Sequence, residues 1–300
     1  MIKDKFVDLV KAKGFWIIFS LVLVVGLALR LLLINTPLWY DEACSWLAAS
    51  KSFPSGINDF LLNHDFQHTP LYFYYLHFWM KFFGNSDISL RLSSLLPSLF
   101  ILPLVYLTAR QITSKFASLI VMFLVSVNVF QICYASEVRM YNLVILFALL
   151  SVFAMLRYIK DFKTSQLAEM VLYNVILSYL MIGSPVFIIA QIICLCSYLS
   201  QAGNKEQLRK VLISNGIFFI LLIPYFLILE HYFLIRQDFL MVHSAELSFL
   251  SIIGILQKFL SQSLENGMYW VTINPYIIGT KEFFIFLIPC LLCCAQFIKR

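Results

Sequence analysis

Long hydrophobic runs separated by short polar segments are the main pattern along this chain. A helix needs roughly 20 apolar residues to cross about 30 Å of hydrocarbon. The pattern predicts eight crossings, near 15–34, 88–109, 116–134, 138–156, 166–182, 184–200, 211–229 and 283–298. Because only helices and closed barrels satisfy their backbone groups in lipid, we predict an all-α integral membrane protein with about eight transmembrane helices.

The fifth and sixth crossings are predicted as separate helices, although their apolar runs are nearly continuous. A single helix over 166–200 would be about 52 Å long at about 1.5 Å per residue. Gly183, Ser184 and Pro185 interrupt this run. Proline lacks the N–H that a helix interior requires, so we expect a turn there.

Two further apolar segments are predicted to lie along the membrane surface. Residues 70–84 carry His77 and Lys81 among Tyr, Trp and Phe, which is typical of an amphipathic interfacial helix. Counting this segment as a crossing would move every later basic cluster to the other side of the membrane. Residues 245–264 show a similar pattern.

Basic residues are distributed unequally between the two sides of this topology. Fourteen of the 22 Lys and Arg residues lie on one side, in clusters within 3–13, 110–115, 157–163, 205–210 and 299–300. The positive-inside rule places this side, and the N-terminus, in the cytoplasm. The opposite, outer side carries 11 of the 16 acidic residues. We therefore predict a multi-pass protein of the plasma (inner) membrane.

The composition also indicates an integral membrane protein. The chain is 61% hydrophobic and 13% charged, whereas soluble domains are about 25% charged. The net charge of +6 lies mostly on the cytoplasmic side, where it favours contact with anionic membrane lipids, and it does not indicate nucleic-acid binding. We treat 1–300 as a single transmembrane domain, with outer loops at 35–87 and 230–282.

Two adjacent carboxylates, Asp41 and Glu42, follow the first crossing within Trp39-Tyr40-Asp41-Glu42. In a structural interpretation, Asp41 only caps a short helix that begins at Ala43. In a catalytic interpretation, one carboxylate takes a proton from an acceptor hydroxyl. The other then orients that hydroxyl or helps to hold a divalent cation. The two residues alone do not distinguish these interpretations.

Several cationic side chains are predicted near the same side of the membrane. Arg139, in the run Glu137-Val138-Arg139-Met140-Tyr141, can grip phosphate oxygens as a bidentate fork or can simply anchor the helix at the interface. His68 precedes Pro70, and Arg91 lies at the start of the second crossing. Arg30 lies within the first crossing, where a cation needs a partner.

Together these segments resemble the dolichyl-phosphate-mannose-dependent protein mannosyltransferases and their bacterial relatives, including lipid A aminoarabinose transferases, of the GT-C glycosyltransferase superfamily. The resemblance depends on the order of the segments and on their placement on one membrane face. The segments are Arg30 to Trp39-Tyr40-Asp41-Glu42-Ala43, His68-Thr69-Pro70-Leu71-Tyr72, Phe83-Gly84, Arg91-Leu92 and Arg139-Met140-Tyr141. At Thr69 the chain departs from the His-Pro-Pro-Leu that is more frequent in the family.

The resemblance implies a GT-C-like fold with interfacial helices in the first outer loop. It also implies inverting transfer of a sugar from a polyprenyl-phosphate donor to a hydroxyl acceptor (an envelope glycan, lipid or protein) at the outer face. Asp41 would be the catalytic base, with Glu42 beside it. Donor-phosphate or substrate binding would fall to Arg139, Tyr141, Arg30, Arg91 and His68. No cofactor is assigned beyond the candidate divalent cation at the acidic pair.

Two other functions remain open from the residues alone. A polytopic lipid or solute transporter or flippase could also use several helices and an interfacial loop. Such transporters place ionisable groups near the bilayer midplane, whereas the charges here cluster at the outer ends of the predicted helices. A non-catalytic partner that has kept the fold is the third interpretation.

Overall fold

A computed structural model describes the backbone of residues 2–64 and 68–227 and the side chains of residues 14–63 and 68–227. Within these residues the chain forms helices and no strand. The helices are α1 (Ile2–Leu31), α2 (Tyr40–Ala49), α3 (Ser55–His64), α4 (Leu71–Phe83), α5 (Asp87–Ala109), α6 (Lys115–Ser126), α7 (Val129–Ala135), α8 (Tyr141–Asp161), α9 (Thr164–Leu180), α10 (Ser184–Gln201) and α11 (Lys205–Leu221).

Four described helices are long and apolar enough to cross a membrane: α1 from Gly14, α5, α8 and α10. The bent pair α6 and α7 brings the number to five if it counts as one span. Helices α9 and α11 have 17 residues each, which is shorter than a typical crossing. The described part of the chain therefore supports a multi-pass all-helical protein but not all eight predicted crossings. The predicted segments at 245–264 and 283–298 lie outside the described residues.

The predicted single crossing at 116–134 is two helices, which meet at an angle of 57°. Asn128 causes the break by starting a new helix, because its side-chain oxygen accepts a hydrogen bond from the Gln131 backbone N–H at 3.1 Å. The carbonyl of Ser126 at the end of α6 accepts a hydrogen bond from Arg30 Nη1 at 3.0 Å. A polar partner inside the bundle thus replaces the hydrogen bond that the broken helix loses.

The predicted break near residue 184 is confirmed. Helix α9 ends at Leu180, α10 begins at Ser184, and Pro185 lies in the first turn of α10, where its missing N–H costs no hydrogen bond. The Ser184 hydroxyl donates to the carbonyls of Leu177 and Met181, at 3.0 and 2.8 Å. These bonds satisfy carbonyls that the end of α9 would otherwise leave unpaired.

The segment predicted at 70–84 is a helix, α4, of 13 residues. Its length of about 20 Å is too short for a crossing. The segment before it also forms two short helices, α2 and α3. The position of these helices at a membrane surface stays a prediction.

Neutral polar groups and close backbone contacts hold the long helices together. Ser151, Asn174 and Gln191, from α8, α9 and α10, form a closed network with distances of 2.6 to 3.0 Å. At Gly26, a Cβ atom would lie 2.7 Å from Leu102 Cδ1, so a larger residue would require the Leu102 side chain to shift where α1 approaches α5. This packing brings the ends of α1 and α7 and the starts of α5 and α8 to one end of the bundle.

Candidate active site

Helix α2 begins three residues earlier than the sequence interpretation placed it. Trp39 is the residue before the helix, and no side chain caps it. Instead Glu42, in the first turn, accepts a hydrogen bond at Oε2 from the Trp39 backbone N–H at 3.0 Å. Asp41 is therefore not a helix cap. Because successive helical residues differ by about 100° in direction, Asp41 and Glu42 enter different surroundings.

Glu42 is fully buried and has hydrogen-bond donors at both oxygen atoms. Arg91 reaches it with both terminal nitrogens, at 2.9 and 3.0 Å. The Val138 backbone N–H donates to Oε1 at 2.8 Å, in addition to the Trp39 N–H on Oε2. Each oxygen thus accepts two hydrogen bonds, which leaves Glu42 poorly suited to accept a substrate proton.

Arg91 uses all five of its N–H groups within the protein. Besides the two bonds to Glu42, its Nε donates to the Thr36 carbonyl at 3.1 Å and its Nη2 to the Pro37 carbonyl at 2.9 Å. Its Nη1 also donates to the Ser136 carbonyl. In this structure no Arg91 donor remains for a phosphate oxygen, so the predicted role of Arg91 in phosphate binding stays a prediction. The side chain instead connects the loop before α2, the first turn of α2 and the turn before α8 to the start of α5.

Asp41 lies in a looser arrangement with Arg139. Its side chain is 39% exposed, and Oδ2 is 3.9 Å from Nη2 of Arg139, which is only 6% exposed. Arg139 Nη1 donates to the Ser45 hydroxyl at 3.1 Å and to the Asp41 carbonyl at 3.4 Å. The guanidinium is thus held in place by α2, while the Asp41 carboxylate remains accessible.

His68 joins this group from the loop before α4. Its Nε2 is 2.9 Å from Arg139 Nη2. Because a guanidinium can only donate, His68 Nε2 must be the acceptor and the ring proton lies on Nδ1. Tyr141 also lies within electrostatic reach of Arg139. The structure therefore brings together four of the predicted site residues: Asp41, Arg139, His68 and Tyr141.

Arg30 lies apart from this cluster. It is fully buried, and its Nη1 donates to the carbonyls of Gly26 and Ser126, both at 3.0 Å. Its Nε and Nη2 have no hydrogen-bond partner among the described residues. The structure does not bring the Arg30 guanidinium to Asp41 or Arg139. Its hydrogen bond to the Ser126 carbonyl stabilises the end of α6.

Glu137 belongs to the site although the sequence interpretation left it out. The pKa of this carboxyl is raised from 4.5 to about 7. Burial is the largest cause, and the negative charges of Glu42 and Asp41 add to it against the opposing effect of Arg139 and Arg91. Glu137 precedes Arg139 by two residues in the same turn. The sequence signal that could have identified Glu137 is its position in the same short run as Arg139.

The residues present do not fit the divalent cation considered for the acidic pair. Both Glu42 oxygens already accept hydrogen bonds from Arg91 and from backbone N–H groups. Across the described ranges, no group of three or more His, Cys, Asp or Glu side chains is arranged to hold a metal ion. We therefore derive no step that uses a cation at Asp41 and Glu42.

Comparison with known proteins identifies a family. The family model described as dolichyl-phosphate-mannose-protein mannosyltransferase matches residues 67–229, which is more than half of the chain. This range includes His68, α4, Arg91, Glu137 and Arg139. No curated protein matches the chain.

A solved structure shares the fold. The chain is similar to an Archaeoglobus fulgidus oligosaccharyltransferase, crystallised with an acceptor peptide tethered by a disulfide bond, with a TM-score of 0.54 and 14% sequence identity. The match covers 89% of this chain and 40% of the oligosaccharyltransferase. The chain therefore spans less than half the length of that enzyme, and the likeness shows that the two share a fold.

Proposed function

Because the chain belongs to the dolichyl-phosphate-mannose-protein mannosyltransferase family, we propose that it transfers a sugar from a polyprenyl-phosphate donor to a hydroxyl acceptor at the outer face of the membrane. The observation that carries this proposal is the contact between Asp41 and Arg139. A carboxylate that solvent can reach lies 3.9 Å from a buried guanidinium. This distance supports a site where a base and a phosphate-binding cation act on one substrate.

Asp41 is the proposed general base. It accepts the proton of the acceptor hydroxyl while the hydroxyl oxygen forms a bond to the anomeric carbon of the sugar. The bond between that carbon and the phosphate oxygen breaks, and its electron pair remains on the departing lipid phosphate. Attack from the side opposite to the leaving group inverts the anomeric configuration.

Arg139 is the proposed group that stabilises the departing phosphate. Negative charge grows on the phosphate as the bond breaks, and a positioned cation in a water-poor site stabilises that charge most effectively. Ser45 and His68 fix the guanidinium from two sides, at 3.1 and 2.9 Å. Tyr141 lies beside it and is proposed as a further substrate contact.

The loose ion pair supports an exchange when the donor binds. At 3.9 Å, Asp41 and Arg139 are at the outer limit of an ion pair, and such partly exposed pairs contribute only about 0–1 kcal/mol. A phosphate can therefore replace Asp41 at Arg139 at little cost. The replaced carboxylate is then available to the acceptor hydroxyl.

Glu42 and Arg91 are proposed as positioning residues. Their buried pair connects α2 to α5, and the bonds from Arg91 to Ser136 and from Glu42 to Val138 fix the turn that carries Arg139. The pair therefore sets the distance between Asp41 and Arg139. No observation on the described residues favours the transporter alternative.

Transfer by purified protein in lipid nanodiscs tests this function. Radiolabelled polyprenyl-phosphate sugars are incubated with the protein and a cell-envelope extract, and both labelled acceptor and cleaved lipid phosphate are measured. We expect transfer by the wild type and a loss of about 100- to 10,000-fold in Asp41→Asn. Asp87→Asn is the control, since Asp87 is an exposed carboxylate at the start of α5.

Two outcomes contradict the proposal. Near-normal transfer by Asp41→Asn would remove Asp41 from the mechanism. Movement of the intact lipid-linked sugar across the membrane, with no cleavage of its phosphate bond, would identify a transporter.

A further inference from the structure

Three buried polar atoms near the start of α4 have no hydrogen-bond partner among the described residues. They are the Thr69 hydroxyl, the Tyr72 hydroxyl and Nε of Arg139. The residues are 0%, 1% and 6% exposed. A buried polar group without a partner typically costs about 1–3 kcal/mol. Such groups are therefore uncommon in native proteins, where another protein group, an ordered water or a ligand usually satisfies them.

These atoms belong to one region of the molecule. Thr69 follows His68, whose ring is hydrogen-bonded to Arg139. Thr69 lies two residues before α4, and Tyr72 lies in the first turn of that helix. Tyr72 also packs in the same core cluster as Val138 and Met140, which flank Arg139 in the chain.

Tyr72 is a neutral hydroxyl within this region. Burial raises its pKa well above the usual value, and the Arg139 charge is the largest effect that opposes this increase. Tyr75, on the same helix, shows the contrasting case, because its hydroxyl donates to the Ser93 carbonyl at 2.8 Å. Tyr72 therefore keeps an unused hydroxyl on a helix that elsewhere pairs its tyrosines.

The chemistry of the two hydroxyls suits a sugar. A hydroxyl can both donate and accept a hydrogen bond, as a sugar hydroxyl can, whereas a phosphate oxygen only accepts. The terminal nitrogens of Arg139 are the proposed contact for the donor phosphate, and the sugar is the next group along the donor. We propose that Thr69 and Tyr72 bind hydroxyl groups of the donor sugar and thereby determine which sugar the protein accepts. This inference rests on the function proposed above.

In the resting structure these hydroxyls are covered. For the donor sugar to reach them, the contact between His68 and Arg139 has to open when the phosphate binds Arg139. Sugar hydroxyls would then supply the missing partners. A site that hydrogen-bonds a substrate hydroxyl rejects analogues that lack it far better than an apolar site does.

Binding measurements separate this inference from the proposed function. Wild-type protein in nanodiscs is titrated with polyprenyl phosphate alone and with polyprenyl phosphate carrying mannose, glucose, galactose or arabinose. We expect the preferred sugar to increase affinity over the lipid phosphate alone. Thr69→Val and Tyr72→Phe should each weaken binding of that donor about tenfold, which is the loss of one hydrogen bond of about 1.4 kcal/mol. Both variants should bind the bare lipid phosphate within about twofold of the wild type.

Matched variants control for structure. Thr69→Ser keeps the hydroxyl, and Tyr75→Phe removes a hydroxyl whose partner is inside the protein; both should bind the sugar donor like the wild type. The thermal stability of Tyr72→Phe without ligand should be unchanged or higher, because an unpartnered hydroxyl is lost.

Each of the other possible results contradicts the inference, and each has a different meaning. Unchanged sugar-donor binding in Thr69→Val and Tyr72→Phe removes the two hydroxyls from the site. Equal weakening of bare lipid phosphate binding assigns them to the phosphate instead. A wild type that binds none of the lipids overturns the proposed function itself, and one that binds every lipid equally shows that no sugar contact exists.

Discussion

Two neighbouring carboxylates at the start of α2 pair with two arginines, and the pairs differ in nearly every physical respect. Glu42 and Arg91 are 0% and 4% exposed and are joined by two bonds of 2.9 and 3.0 Å. Asp41 is 39% exposed and lies 3.9 Å from Arg139. The first pair is closed and fully hydrogen-bonded, and the second is open on one side.

We expect the closed pair to contribute mainly to stability and the open pair mainly to the proposed chemistry. Removing one partner of a buried pair leaves an uncompensated charge, which is strongly destabilising. A partly exposed pair contributes little to stability, but its members can exchange partners with a substrate. Two residues of the same charge, adjacent in sequence, are therefore expected to respond to mutation in opposite ways.

Breaking the closed pair should have the largest effect on stability. We expect Glu42→Gln to lower the free energy of unfolding by about 3–5 kcal/mol, because Arg91 would keep its charge without a counterion. Reversible unfolding in mixed micelles with increasing SDS measures this change. Asp41→Asn is the matched control and should change stability by about 0.5 kcal/mol or less. Equal losses in the two variants would contradict the contrast.

Glu137 extends the comparison because the negative charges of both Asp41 and Glu42 raise its pKa. Its pKa of about 7 exceeds its ordinary value of 4.5, so the folded state binds a proton more tightly than the unfolded state. Its contribution to stability is complete below about pH 4.5 and is lost as pH rises through about 7. The shift corresponds to about 3 kcal/mol.

Unfolding of the wild type and Glu137→Gln, measured across this pH range, tests whether the contribution of Glu137 to stability falls as pH rises. The stability of the wild type relative to the variant should fall between about pH 4.5 and 7.5 and then remain level. A difference that does not vary with pH would show that the Glu137 carboxyl is not perturbed in the folded state.

Loosening the support of Arg139 should have the smallest effect. Ser45→Ala removes the hydroxyl that accepts from Arg139 Nη1 at 3.1 Å. We expect a loss of about 1 kcal/mol in stability and a few-fold reduction in sugar transfer. Ser50→Ala is the control, since the Ser50 hydroxyl donates to the Trp46 carbonyl at the other end of α2. Identical transfer rates in the two variants would show that Ser45 does not orient Arg139.

The long helices could be predicted because their signals are local. Apolar runs identified α1, α5, α8 and α10, and the interruption at Pro185 separated α9 from α10. The break between α6 and α7 was missed, although Asn128 inside an apolar run is a recognisable helix start. The predicted crossings at α9 and α11 stay predictions, because each of these helices has 17 residues.

The different surroundings of Asp41 and Glu42 could not be predicted from the local sequence. They depend on α2 beginning at Tyr40, which sets the direction of each side chain, and on a partner for Glu42 that is 49 residues away in the sequence. The same limit applies to Arg91, whose donors are used by Glu42 and by two loops that are distant from it in the sequence. The association of Asp41, His68 and Arg139 was predicted through the family resemblance, and their roles stay proposals.

The most direct test of the central claim is a double-mutant cycle on the open pair. Sugar transfer is measured for Asp41→Asn, for Arg139→Lys and for the combined variant, with folding checked by thermal unfolding. If both residues act on one transition state, the double variant should be about as slow as the slower single variant. Independent effects, in which the two losses multiply to within about twofold, would contradict the claim that Asp41 and Arg139 serve a single substrate.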